Sequence, residues 1–307
     1  MTAQLRARDL DGVTVPLLTP FDRDGAVDPD GLSRLVDRMV EAHVVALLAL
    51  GTTGEFAELT PEERDTVLAT VVAAARGRVP VIAGVGGVGT VEACGHAARA
   101  AQAGADAVLV LPPLYHKASE TQLCAHFEAV ARACALPVLL YDFPELSGTA
   151  LPADLLARIT DAVPTTIGVK LSGGDLRRIH AALARLGDDP HVALLAGAES
   201  TYLPGLLAGA DGAILAVANV DPALPVALHR AWRAGDIESA TALHADLLHL
   251  GRVMGICDPP MLGLKLLCKA AGLPLEAVVR TAPGDVDRIA RDVLALESGG
   301  WRRSGLL

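Results

Sequence analysis

Aromatic residues are scarce in this chain. Phe, Tyr and Trp make up 3% of 307 residues, although 51% are hydrophobic. The core must therefore be built from Ala, Val, Leu and Ile. Lysine is scarcer still. All but four of the 26 basic residues are arginine, the exceptions being Lys117, Lys170, Lys265 and Lys269. Chemistry that needs an amine has only these candidates. No Lys/Arg run occurs and the formal net charge is -10, which argues against a nucleic-acid partner. No stretch of about 18 residues stays apolar without charge or turn signals. A mean hydropathy of +0.40 therefore does not imply a membrane partner. Met1–Leu10 carries Arg6, Arg8 and Asp9 and lacks the apolar centre of a signal peptide. Cys94, Cys124, Cys134, Cys257 and Cys268 form no C-x-x-C pair. This odd, scattered set reads as reduced thiols in a cytoplasmic protein. The zinc-protease helix motif is missing too. A chain of this length buries about three quarters of its unfolded surface and needs no disulfide or metal staple.

What is present is a regular series of short apolar runs. They are Val13–Leu18, Val44–Leu50, Val79–Val85, Ala107–Leu111, Pro137–Tyr141, Thr166–Lys170, Val192–Ala196 and Gly212–Val217. Continuous Val/Ile/Leu runs fit parallel strands buried on both faces. Helical patterns fill the gaps: Pro29–Glu41, Pro61–Arg76, Val91–Ala103, Thr121–Ala135, Pro152–Ala162, Asp175–Leu186 and Thr201–Ala208. Thr60, Pro61 and Glu63 have capping-box spacing. Gly104 and Gly209 read as C-caps. Eight strand–helix units without a linker predict an α/β fold, a (β/α)8 TIM barrel. The alternative is an open doubly wound sheet. After Val217 the pattern turns wholly helical, at Ala223–Ala234, Ile237–Gly251, Met261–Ala271 and Asp285–Leu296. The expected organisation is a barrel over 1–222 carrying the active site and a helical extension over 223–307.

A TIM barrel keeps its chemistry at the C-terminal ends of its strands. The sixth run ends in Lys170. A lysine inside a barrel loses charge easily, because burial penalises the ammonium. Schiff-base chemistry needs that loss. At an unperturbed pKa near 10.4, only about one lysine in 2,500 is neutral at pH 7. The plainer reading is a stem packed on the rim with its amine in water. Lys265 and Lys269 lie four apart on a C-terminal helix, a typical solvated face, and Lys117 reads as an exposed loop residue. Tyr141 ends the fifth run and could move protons beside an amine, or could be a tied core tyrosine. Gly51-Thr52-Thr53-Gly54 offers backbone N–H groups and two hydroxyls, a nest suited to a carboxylate, or else a simple glycine turn. Gly84-Val-Gly-Gly-Val-Gly89 follows a third strand, not the first of a nucleotide-binding half, and reads as tight turning beside the pocket. The histidines are scattered and read mostly as surface residues.

Taken together, these residues resemble the family of 4-hydroxy-tetrahydrodipicolinate (dihydrodipicolinate) synthase and N-acetylneuraminate lyase. The matching pieces are Leu18-Thr-Pro-Phe21, Gly51-Thr-Thr-Gly-Glu55, Val81-Ile-Ala-Gly84, Pro112-Pro-Leu-Tyr115, Tyr141-Asp-Phe-Pro144, Gly168-Val-Lys170 and Ala208-Gly-Ala-Asp-Gly212. They run in family order along nearly the whole chain. The resemblance implies a class I pyruvate aldolase, a lyase with no metal or organic cofactor. Lys170 would form the imine with a 2-keto acid. Tyr141 would relay protons, with Thr53 on the proton path. Thr52, Thr53 and Gly54 would hold the keto-acid carboxylate. Ser172, Gly197, Glu199 and Ile214 would also contact substrate. Tyr115 matches a tyrosine that reaches into a neighbouring subunit's site, and the implied assembly is a homotetramer, a dimer of dimers. The implied partners are pyruvate and an aldehyde.

Departures from the family pattern bear on the second substrate. Leu146 stands where synthases carry the arginine that binds its carboxylate, and leucine cannot do that. Leu171-Ser172 replaces Glu-Ala. Pro61, Arg64, Val88 and Leu114 differ from the positions that bind feedback lysine in some synthases. The segments Leu146-Ser147-Gly148 and Ser172-Gly-Gly-Asp-Leu176 resemble the lyases instead, where Ser172 and Glu199 match sugar-hydroxyl positions. Ser200 and Ala216 depart from the lyases. The first expectation is a pyruvate-type aldolase or a 2-keto-3-deoxy sugar acid aldolase/dehydratase. The alternatives are the synthase, a lyase-like activity on N-acetylneuraminate, or a non-catalytic keto-acid-binding regulator.

Overall fold

The computed structural model describes residues 4–255 and 257–281. Eight parallel strands follow one another around a closed barrel, and the last pairs back to the first. They are β1 (Val13–Pro16), β2 (Ala46–Ala49), β3 (Val81–Gly84), β4 (Ala107–Val110), β5 (Val138–Asp142), β6 (Thr166–Leu171), β7 (Ala193–Ala196) and β8 (Gly212–Ile214). Nearly every strand residue is buried. Strands covered on both faces cannot show apolar/polar alternation, which is why the runs in the sequence are continuous.

The crossovers are α1 (Pro29–Glu41), α2 (Pro61–Ala75), α3 (Thr90–Ala103), α4 (Glu120–Cys134), the single turn α5 (Pro144–Ser147), α6 (Ala153–Ala162), α7 (Leu176–Leu186) and α8 (Glu199–Ala208). Local chemistry sets their ends. At α2 the Thr60 N–H donates to Glu63 Oε2 at 2.9 Å, and the Glu63 N–H donates to Thr60 Oγ1 at 3.3 Å. Gly104 and Gly209 close α3 and α8 in the left-handed region. Three further helices follow the barrel: α9 (Ala223–Arg233), α10 (Ile237–Met254) and α11 (Pro260–Ala270). α10 packs on α8 and α9, and α11 packs on α10 and on the turn Ala216–Asn219. The helix expected at Asp285–Leu296 lies outside the described residues. Among the described residues, no helix is long and apolar enough to cross a membrane.

The structure departs from the sequence reading in two places. The eighth strand stops at Ile214, and the remaining apolar residues enter a 3-10 turn, Ala216–Asn219. The fully buried Asn219 explains the stop. Its Nδ2 donates to the Pro16 and Ala216 carbonyls, each at 2.8 Å, and its Oδ1 accepts from the Leu18 N–H at 3.0 Å. A side chain, not the ladder, completes the β8–β1 seam at the mouth. The second correction is Lys265. It is fully buried, not solvated, because Glu55 meets its amine inside the protein at 2.6 Å. Most histidines are exposed or partly exposed, as the sequence suggested, while His96, His126 and His229 are buried. His229 contacts Asp11 through Nε2 and the Tyr202 hydroxyl through Nδ1, each at 3.0 Å. A neutral ring protonated on Nε2 satisfies both. This contact ties α8 and α9 to the residues just before β1.

Gly84 ends β3 where a side chain has no room. A Cβ built there would lie 2.1 Å from the Leu50 carbonyl oxygen. We expect Gly84→Ala to cost about 3 kcal/mol in urea unfolding, at the upper end of overpacking penalties. Gly95, inside α3 with open space around it, should gain up to about 1 kcal/mol as alanine through helix propensity. Equal stability of the two variants would contradict the close approach.

Candidate active site

β5 and β6 deliver adjacent polar residues to the same end of the barrel. The ladder pairs Tyr141 with Lys170 and Asp142 with Leu171. Lys170 Nζ lies 4.1 Å from the centre of the Tyr141 ring. Lys170 is 5% exposed and Tyr141 2%, so the sequence alternatives of a rim lysine with its amine in water and a tyrosine tied only to backbone do not apply. The phenol hydrogen-bonds with Thr52, Ser172 and Lys170. Burial pushes its pKa up. The Lys170 charge and these hydrogen bonds outweigh burial and hold the phenol below its ordinary range.

Thr52 comes from β2, whose chain turns into a short 3-10 segment, Thr52–Gly54. The hydroxyl on the phenol belongs to Thr52. Thr53, expected on the proton path, is buried one residue further on. The Gly54 carbonyl accepts from Thr19 Oγ1 at 2.7 Å, which ties the turn to the loop after β1. Glu55 then adopts φ 55, uncommon for a residue other than glycine.

Ser172, just past β6, is buried and donates to the Gly197 carbonyl at 3.4 Å. Gly197 has to be small, since a Cβ there would lie 2.1 Å from Ser172 Oγ. Arg178 of α7 ties the same strand ends from outside. It donates to the Asp142 carboxylate and, at 3.0 Å, to the Ser172 carbonyl. Burial pushes the Asp142 carboxyl up against the pull of Arg178.

The other expected residues are placed less centrally. Ile214 is a buried residue of β8. The Glu199 carboxylate hydrogen-bonds with its own backbone and with Val217, and burial pushes its pKa up. It faces Gly251 of α10 and has no direct bond to the Lys170 group among the described residues. Tyr115 is not brought in by this chain. It is 87% exposed, with φ 76, and its ring stands edge-on to His116.

An open cleft of about 260 Å³ begins at Thr52 and runs past Glu55, Phe56 and Leu146. Its far side is Pro259, Met261 and Thr281, residues that sequence reasoning did not connect with the mouth. The Pro259-Pro260 start of α11 signals a helix N-terminus, but no local pattern says which wall that helix completes. Among the described residues, no Lys, Arg or His lines this cleft. A second cavity, of about 140 Å³, gathers Pro61, Arg64, Val88 and Leu114 with Glu92 and His96. There burial pulls the Arg64 guanidinium down to about 10, and it donates to the Phe56 and Gly84 carbonyls at 3.0 and 3.3 Å.

Residues 9–295 match the dihydrodipicolinate synthetase family. The chain belongs to that family. A 4-hydroxy-tetrahydrodipicolinate synthase from Hyphomonas neptunium is 39% identical over 87% of this chain and 91% of its own length. The putative 2-dehydro-3-deoxy-D-gluconate aldolase YagE of Escherichia coli is 34% identical over 90% of this chain and 92% of its own. The crystal structure of YagE in complex with pyruvate superposes with a TM-score of 0.89 at 34% identity, covering 94% of this chain and 98% of that one. Members of the dihydrodipicolinate synthetase family are pyruvate-dependent aldolases and synthases, and this protein is an enzyme of that lyase class. The family relationship leaves the aldehyde open, since relatives carry both names.

The charge relation at the strand ends has a direct readout. A tyrosinate absorbance titration should show one phenol ionising below the usual range. That phenol should vanish in Tyr141→Phe and move upward in Lys170→Ala, where the neighbouring positive charge is gone. An unchanged titration in Lys170→Ala would mean that the amine does not act on the phenol.

Proposed function

We propose that the protein is a class I aldolase whose Lys170 forms an imine with pyruvate or a related 2-keto acid, and whose second substrate is an uncharged aldehyde. The observation that carries the reading is the buried Lys170 amine held 4.1 Å above the Tyr141 ring. The neutral amine adds to the keto carbon, a carbon–nitrogen bond forms, and the carbonyl oxygen leaves as water after two protonations. Tyr141 is the acid and base for these transfers, and Thr52 on its hydroxyl extends the proton path. Removal of a proton from the methyl carbon gives the enamine. That carbon attacks the aldehyde, and water then releases the 2-keto acid product from Lys170. Cleavage runs the same steps backwards. No step needs a metal or an organic cofactor.

The keto-acid carboxylate is assigned to the Thr52–Gly54 turn. Thr53 contributes its hydroxyl there, and Ser172, Gly197 and Ile214 border the bound acid. Tyr115 belongs to the site of a neighbouring copy in a homotetramer, which fits its exposure on a single chain.

Leu146 argues against a carboxylated aldehyde. Its side chain is 59% exposed and lines the mouth cleft, where the charged neighbours are Glu55 and Glu58. Such a wall offers a second carboxylate no bidentate partner. A short sugar-derived aldehyde suits it better, as in a 2-keto-3-deoxy sugar acid aldolase, and the likeness to YagE supports the same choice.

Borohydride added with pyruvate should fix one pyruvyl group, and peptide mapping should find it on Lys170. An adduct elsewhere, or none, would remove the proposal. With pyruvate present, glyceraldehyde should be turned over and aspartate semialdehyde should not. Leu146→Arg should raise kcat/KM for the semialdehyde by at least about tenfold, since a charge-assisted bidentate pair is gained. Turnover of the semialdehyde by the unaltered enzyme would favour the synthase.

A further inference from the structure

Lys265 is the larger of two anomalies among the lysines. It is a helix residue with no exposed surface, and it sits 210 positions along the chain from its carboxylate partner. Its ammonium donates to Glu55 Oε1 at 2.6 Å and to the Val278 carbonyl at 2.7 Å, and lies 4.2 Å from the centre of the Phe21 ring. Glu55 is equally committed. Its other oxygen accepts the Arg280 N–H at 2.8 Å. The Arg280 guanidinium crosses the opposite end of the arrangement, pairing with Glu63 and stacking 4.6 Å from the Phe21 ring. One carboxylate thus gathers α11 and the segment around 278–280 onto the residue that ends the Gly51-Thr-Thr-Gly-Glu55 turn.

A buried ion pair is weak evidence for stability, because desolvation offsets much of the attraction. A hydrophobic pair of similar volume would fill the space at lower cost. What the pair supplies is geometry. Glu55 holds φ 55, a conformation that the surroundings must impose on a residue with a side chain. The turn it closes carries the Thr52 hydroxyl that meets the Tyr141 phenol, and the clamped segment places Pro259, Met261 and Thr281 along the cleft that begins at Thr52. Removing the clamp frees both together.

We infer that Lys265 is a positioning residue: through Glu55 it fixes the Thr52–Gly54 turn for the keto-acid carboxylate and holds the C-terminal segment as a wall of the mouth. The inference rests on the assignment of pyruvate to that turn. It makes the C-terminal helices a working part of the site.

The test compares Lys265→Met, Glu55→Gln and Lys265→Arg, with His229→Ala as a control at the opposite end of the barrel. Two quantities are read: the melting temperature, and the pyruvate concentration that gives half-maximal borohydride trapping on Lys170. Lys265→Met should raise that concentration by about tenfold or more, since small misplacements of a binding group are costly. Trapping at saturating pyruvate should stay complete. Glu55→Gln should do the same, the double variant should be no worse than either single one, and Lys265→Arg should recover part of the loss. His229→Ala should lower the melting temperature and leave the pyruvate dependence unchanged. A normal pyruvate dependence in folded Lys265→Met or Glu55→Gln would overturn the inference, as would an equal shift in His229→Ala. If the unaltered enzyme traps no pyruvate, the imine mechanism falls, and this role of Lys265 falls with it.

Discussion

The pairing of Tyr141 with Lys170 across β5 and β6 is the contact on which the rest of the site depends. Register partners on neighbouring strands project to the same side of a sheet, so the ladder itself brings the amine to the ring. A cation over an aromatic face is attracted by about 2 kcal/mol when both are desolvated, which is enough to favour one lysine rotamer among several. The phenol then points to Thr52 and Ser172, one from the loop after β2 and the other from the end of β6. Three parts of the chain far apart in sequence meet on one oxygen. Asp142 and Arg178 brace the same two strand ends from outside the barrel, so the pair cannot slide without breaking a buried ionic contact.

Closure of the barrel serves this geometry. Short strands made of Ala, Val, Leu and Ile leave no large rings to fill the interior, and the few aromatic side chains go to particular places. Tyr141 lies under the amine, Phe21 lies beside Lys265 and Arg280, and Phe56 lines the mouth. Aromatic scarcity is therefore a property of the strands. These three rings lie where a cation or a ligand meets a face.

Most of the fold was legible because its signals are local. Continuous apolar runs mark strands buried on both faces, and the Thr60 capping box and Gly104 mark helix ends without reference to anything distant. Lys170 and Tyr141 were legible for a related reason: a polar residue ending such a run has few places to go. The misreadings were all long-range. The run Gly212–Val217 looks like one strand, and only Asn219 reaching back to Pro16 and Leu18 shows why it bends early. Lys265 and Lys269, four apart on a helix, look like a solvated face. Lys269 does pair with Glu276 at the surface, whereas Lys265 meets a carboxylate from the other end of the chain. The wall formed by Pro259, Met261 and Thr281 is of the same kind, since nothing in those residues names the loop they face.

The two buried lysines also explain each other. Lys265 has a carboxylate at 2.6 Å, whereas Lys170 makes no ion pair among the described residues. Breaking a buried pair by removing one partner costs roughly 3–5 kcal/mol, so Glu55 keeps the Lys265 amine in place, although burial pulls that amine's pKa down. An amine with that partner suits a permanent clamp and is useless as a nucleophile. For the attack on a carbonyl proposed for Lys170, its surroundings offer burial, a ring face and a neighbouring phenol. Two acidic side chains close to this division are already committed. Glu55 is held by Lys265 and Asp142 by Arg178. Neither is free to move onto Lys170.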